Sequence, residues 1–75
     1  MNLGAIIQQL YNNTLSRLYL DNSQIGGGQA EAIAEALKIN TSLQILSLNN
    51  NRIGDEETKK IAQALQVGFL LIFTN

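Results

Sequence analysis

The chain comes close to repeating itself: LSRLYLDNSQIGGGQAEAIAEALKI, residues 15–39, aligns with LQILSLNNNRIGDEETKKIAQALQV, residues 43–67, at a constant offset of 28. Ten of the 25 aligned pairs are identical. The identities fall on Leu15/Leu43, Leu18/Leu46, Leu20/Leu48, Ile25/Ile53, Ile33/Ile61 and Leu37/Leu65, on the small pairs Gly26/Gly54, Ala34/Ala62 and Ala36/Ala64, and on Asn22/Asn50. A period that keeps mostly apolar and small residues is a stacking period, in which each unit buries its apolar side against the next.

Within a unit the spacing changes character. Leu18 and Leu20, then Leu46 and Leu48, alternate with period two, which predicts a short strand with leucines inward and Arg17, Tyr19, Asp21 or Ile45, Ser47, Asn49 outward. The polar turns Asp21-Asn22-Ser23 and Asn49-Asn50-Asn51 then end the strand, their side chains suited to bonding neighbouring backbone amides. Ala30, Ile33, Ala34 and Leu37, and again Ile61, Ala62 and Leu65 with Thr58, share a helix face, which predicts helices near 28–38 and 55–66. Asp55, Glu56 and Glu57 fall at the positive end of the second helix dipole.

Residues 1–14 fit the helical half of a preceding unit: Ile6, Ile7 and Leu10, followed by Asn13-Thr14, echo Ile33, Ala34 and Leu37, followed by Asn40-Thr41. The expected organisation is therefore a helical half-unit over 1–14, full units over 15–42 and 43–70, and a truncated third unit over 71–75, with Leu71 in register with Leu15 and Leu43. The expected fold is an α/β solenoid with short parallel strands on one face and helices on the other.

The pattern L-x-x-L-x-L-x-x-N-x-I-G over Leu43 to Gly54 resembles a leucine-rich repeat. The run I-A-x-A-L-x-x-N over Ile33 to Asn40 looks like the ribonuclease-inhibitor-like subclass, which several intracellular receptors and Ran GTPase-activating proteins share. The resemblance implies a non-enzymatic protein-interaction module, or a fragment of a larger array. It also implies that Asn51 takes the place of the asparagine that ladders along the turns, with a weaker ladder at Ser23 in the first unit, and that partners bind on the outward strand face. On that face Arg17, Tyr19, Asp21, Ile45, Ser47 and Asn49 are the candidate partner-binding residues, with the Tyr19 and Arg17 pair as a plausible anchor; the plainer reading is a solvated sheet surface.

A chain of 75 residues buries only roughly 60% of its unfolded surface, and without cysteine or histidine it has neither disulfides nor the usual structural zinc sites to reinforce it. Good packing or self-association must compensate. The apolar run Phe69-Leu70-Leu71-Ile72-Phe73 is β-prone and uncharged, so Phe69, Leu71, Ile72 and Phe73 are the candidate self-association residues and a homo-oligomer is the alternative reading. A net charge of −1 with dispersed basic residues disfavours nucleic acid. The N-terminus lacks positive charge and its apolar stretch breaks at Gln8-Gln9, matching neither a secretory signal nor a membrane span, so a cytoplasmic protein is expected.

No catalytic, metal or cofactor site is expected. Gly26-Gly27-Gly28 precedes a helix but lacks the Lys-Ser/Thr of a phosphate-binding loop and reads as a flexible turn. Asp55, Glu56 and Glu57 have no histidine and no matching carboxylates at Gly27, Gly28 and Gln29, so they read as helix-end electrostatics rather than a metal or acid–base site. Arg52 invites comparison with the catalytic arginine of a GTPase activator, the least favoured reading, against that of a solvated turn charge.

Overall fold

The computed structural model describes residues 2–65 and the backbone of residues 71–74. Helices and strands alternate along the chain: α1 (Leu3–Tyr11), β1 (Arg17–Tyr19), α2 (Gly27–Leu37), β2 (Ile45–Leu48), α3 (Asp55–Ala64) and β3 (Leu71–Thr74). Helices α2 and α3 begin and end within two residues of the expected 28–38 and 55–66, and α1 falls inside the expected helical half-unit.

Local chemistry sets their ends. The Asn2 side chain caps α1 by accepting the Ala5 N–H at 3.1 Å. At the other end Asn13 turns left-handed with φ 58, and the N–H groups of Asn13 and Thr14 donate to the carbonyls of Leu10 and Gln9, the paired bonds that close a helix C-terminus. At the start of α2 the Gln29 side chain reaches back to accept the Gly26 N–H at 2.8 Å; Gly26 has no side chain to return the bond. Helix α3 opens on Asp55, Glu56 and Glu57, where negative charge meets the positive helix end, and the Gly54 carbonyl accepts both the backbone and hydroxyl donors of Thr58.

The three strands form a parallel sheet in the order β1-β2-β3. Between β1 and β2 the register repeats the offset of 28: Arg17 pairs with Ile45, Leu18 with Leu46 and Tyr19 with Ser47. Between β2 and β3 it does not. Leu71 pairs with Ile45 and Ile72 with Leu46, a step of 26, so the expected alignment of Leu71 with Leu43 is corrected by two residues. A step of 26 keeps the in–out parity of a step of 28, so alternation cannot tell them apart. The shorter step sets all of LIFT against ILSL, whereas the longer one would place Leu71 ahead of the start of β2.

One core joins the inner side of the sheet to the helices. Leu18, Leu20, Leu43, Leu46 and Leu48 meet Leu10, Ile25, Ile33, Ala34, Leu37, Ile61 and Ala64, each 6% exposed or less. Burial of each such leucine or isoleucine contributes about 1.5–3 kcal/mol. The repeat positions are not buried equally, however: Ala34 is buried in α2, whereas its counterpart Ala62, expected on the buried face of α3, is exposed. Helix α2 packs between α1 and α3, while α3 has a helical neighbour on one side only among the described residues.

Asparagines in the turns fasten one unit to the next. Asn51 Oδ1 accepts the N–H groups of Ser23 and Ile25, both at 3.0 Å, and its Nδ2 donates to the carbonyls of Leu20 and Leu48 at 2.9 and 3.0 Å. Ser23, in the matching position of the first unit, bonds only the Asp21 carbonyl of its own turn through its hydroxyl. Asn40, 4% exposed, donates to the Leu10 carbonyl at 2.7 Å and accepts the Leu43 N–H at 2.8 Å. Every buried backbone group needs such a partner, and here the turns find theirs across the period.

Candidate protein-interaction face

The outer side of the sheet is built from alternate residues of β1 and β2 and the turns that follow them. On β1 the alternation is clean: Arg17 and Tyr19 are exposed around buried Leu18. On β2 it is not, because Ile45 is half-buried and Ser47 is buried at 3% exposure. This corrects the expectation that Ser47 presents itself to a partner. β2 is the central strand, and a side chain as short as serine lies below the level of its neighbours; its register partner Tyr19 stands 60% exposed beside it.

The Ser47 hydroxyl has a different task. It donates to Asp21 Oδ1 at 2.7 Å, and the Asn49 N–H donates to the same oxygen at 2.7 Å. Asp21 is thus a strut between the first turn and the second strand, one carboxylate oxygen committed to two donors. These charge-assisted bonds are among the stronger neutral-to-ion contacts available to a turn. Asn49 is half-buried and held by its backbone, with its amide nitrogen 3.5 Å from Ser47 Oγ. The side chains of Arg17 and Tyr19 have no hydrogen-bond or ion-pair partner among the described residues. Of the six residues expected to bind, Arg17 and Tyr19 are exposed and without a side-chain partner among the described residues, Ile45 and Asn49 are partly exposed, and Asp21, though exposed, and buried Ser47 are tied into the surface.

The self-association candidates fall at β3. Phe69 lies outside the described residues, while the backbones of Leu71, Ile72 and Phe73 pair in parallel with Ile45, Leu46 and Ser47. The strand thus finds backbone partners along one edge within its own chain.

The remaining chemistry-bearing residues are dispersed. A Cβ added to Gly27 would lie 3.5 Å from the Glu57 side chain, and one added to Gly54 would lie 2.9 Å from Glu57 Oε1. The Glu57 carboxylate thus lies beside Gly27 of the glycine run and beside Gly54, whereas a Cβ on Gly28 would meet open space. Among the described residues no group of three or more His, Cys, Asp or Glu side chains converges as a metal site would require. Arg52 is exposed in the turn after β2, its backbone N–H donating to the Ile25 carbonyl at 2.9 Å. No helix among the described residues is long and apolar enough to cross a membrane.

Sequence reasoning missed the strut and the buried Asn40 bridge. The signal for Asp21 was its place 28 residues before Asn49, which makes them neighbours in stacked units. Asn40 read as ordinary turn chemistry, and only the packing of α1 beside it shows that its amide crosses to Leu10.

A leucine-bearing parallel strand, an asparagine-fastened turn and a helix recur in one unit. Residues 40–62 match the family model described as Leucine Rich repeat. The matched segment runs from the buried Asn40 through Leu43, Leu46 and Leu48, takes in the Asn51 bridge, and ends on α3. No curated protein matches the chain at a significant level. The leucine-rich repeat motif suggests a protein-interaction module, and the mixed helix and strand content with a small parallel sheet is compatible with an α/β leucine-rich repeat.

Proposed function

We propose that this chain is a non-enzymatic protein-interaction module, a short leucine-rich-repeat solenoid of the ribonuclease-inhibitor-like kind, that docks a protein partner on the outer face of its sheet. Arg17 and Tyr19 are the anchors, Ile45 supplies an apolar floor and Asn49 a polar rim. The observation that carries this reading is Tyr19: a large aromatic, 60% exposed, on a strand whose neighbours are fixed by hydrogen bonds across the period. Exposed aromatic and arginine side chains on a rigid platform lose little entropy on binding, which is why such pairs dominate interface energetics. The repeat match supports the same reading, since it identifies the unit that supplies half of the face.

The test compares proteins captured by the intact chain, by a Tyr19→Ala, Arg17→Ala double variant, and by Lys59→Ala on the helical layer. A partner retained by the wild type and the lysine variant but lost by the double variant is the expected result. Equal capture by all three places docking elsewhere and ends the proposal.

A further inference from the structure

The strand layer and the helical layer of this fold are out of step by one unit. The strands lie in the order β1-β2-β3 and α2 packs between α1 and α3, yet in the chain α2 follows β1 and α3 follows β2. Helix α1 therefore lies one unit beyond the free edge of β1, and β3 lies one unit beyond α3, each without its opposite number among the described residues. The peptide groups at the β1 edge are open as well. The Leu20 N–H and the Ser16 carbonyl bond towards β2, so alternation along the strand turns the N–H and C=O of Arg17 and Tyr19 to the other side.

The open sides of the two terminal helices match each other. On α3, Lys60 reaches α2 by pairing with Glu31 at 3.3 Å, and Ala62, about 200° further round the helix, faces the opposite way and is exposed. On α1, Gly4 stands two periods before Lys60, which gives it the side that a preceding helix would cover; it too is exposed. Tyr11, seven residues on and on the same side, is 44% exposed. Residues as small as Gly4 and Ala62 let two helix axes approach closely, and α1 carries no charged side chain to oppose the acidic and basic groups of α3.

We infer that copies of this chain join head to tail: β3 of one copy adds in parallel to the free edge of β1 in the next, while α1 of that next copy packs over Ala62 of the first. Shape selects the occupant. A strand arriving with its own helix beneath it would collide with α1, whereas β3 brings no helix among the described residues, and α1 is the helix its position lacks. Each junction repeats the pairing of β2 with β3 and the packing of α2 with α3, so the contact continues interfaces that the chain already makes within itself. The two surfaces that meet are different, which makes the contact heterologous and adds copies in series. The outer face of the sheet stays open in such a series, so the inference is independent of what docks there.

The test is sedimentation of the full chain over a rising micromolar concentration series, with Gly4→Glu and Ala62→Glu as variants that each close one end. Both positions are exposed, so the circular dichroism of the variants should match the wild type. The wild type should climb in average mass past the dimer as concentration rises, and either variant alone should associate at least about tenfold more weakly. Mixing the two variants should give a dimer that grows no further, because one intact junction remains between them. A wild type that stays monomeric overturns the inference, and so does one that stops at the dimer, which marks a symmetric contact. Association undiminished in either variant, or a mixture of the two that stays monomeric, overturns it as well.

Discussion

Asn51 accepts the backbone N–H of Ser23 at 3.0 Å, a bond that spans one full period of the repeat. The same amide also serves Ile25, Leu20, Leu48 and Asn49, so one side chain satisfies two donors and three acceptors in half-buried turns. Its removal leaves those groups without partners, and each unsatisfied buried group costs about 1–3 kcal/mol. Asn51→Ala should therefore destabilise the chain by about 2–4 kcal/mol in urea unfolding. Ser23→Ala, which removes only a local bond, should stay within about 0.5 kcal/mol.

Leu46 is fully buried in the central strand, paired on both sides. Leu46→Ala should cost about 2–5 kcal/mol. A domain of this length holds about 4–11 kcal/mol in reserve, so the variant should unfold at a markedly lower urea concentration than the wild type. Tyr19→Ala, on the exposed face of the neighbouring strand, should leave the unfolding midpoint nearly unchanged.

Gly54 and Glu57 make a coupled pair at the start of α3, since a Cβ on Gly54 would fall 2.9 Å from Glu57 Oε1. Gly54→Ala should destabilise by about 0.5–1 kcal/mol, part of it from the poorer cap and part from displacing the carboxylate. In a double-mutant cycle Glu57→Ala should relieve the second part. Strict additivity would show that the contact carries no energy.

Asp21 holds two donors on one oxygen without standing at the centre of the face. Asp21→Ala should lower stability by about 1.5–3 kcal/mol, the usual worth of bonds to a charged group, and Asp21→Asn by less because one acceptor oxygen remains. Thermal unfolding of the two variants side by side checks the order.

Leucine alternation at 18/20 and 46/48 was enough to read the strands, and the spacing of Ile33, Leu37 and Ile61 the helices, because each rule concerns residues within one element. What escaped depends on neighbours. Ser47 is buried because β2 has a strand on each side, and Ala62 is exposed where α3 has a helical neighbour on one side only among the described residues. The two-residue shift of β3 was hidden for a different reason: it preserves the parity on which strand reading relies. On the candidate face Arg17 and Tyr19 were legible from alternation alone. The strut role of Asp21 was not, since it joins residues 26 and 28 positions apart.

Asn40 and Asn51 send side-chain bonds backwards, to Leu10 and Leu20 in the unit before them, and Ser42 reaches back to Leu15 at the start of its own unit. A ribosome releases the chain in the opposite sense. The amides of Ser23 and Ile25 thus emerge well before the side chain that will receive them, and the first turn stays solvated until residue 51 has cleared the exit tunnel. Each unit is finished by its successor, so the order in which the turns become protected from solvent exchange is written into the direction of synthesis.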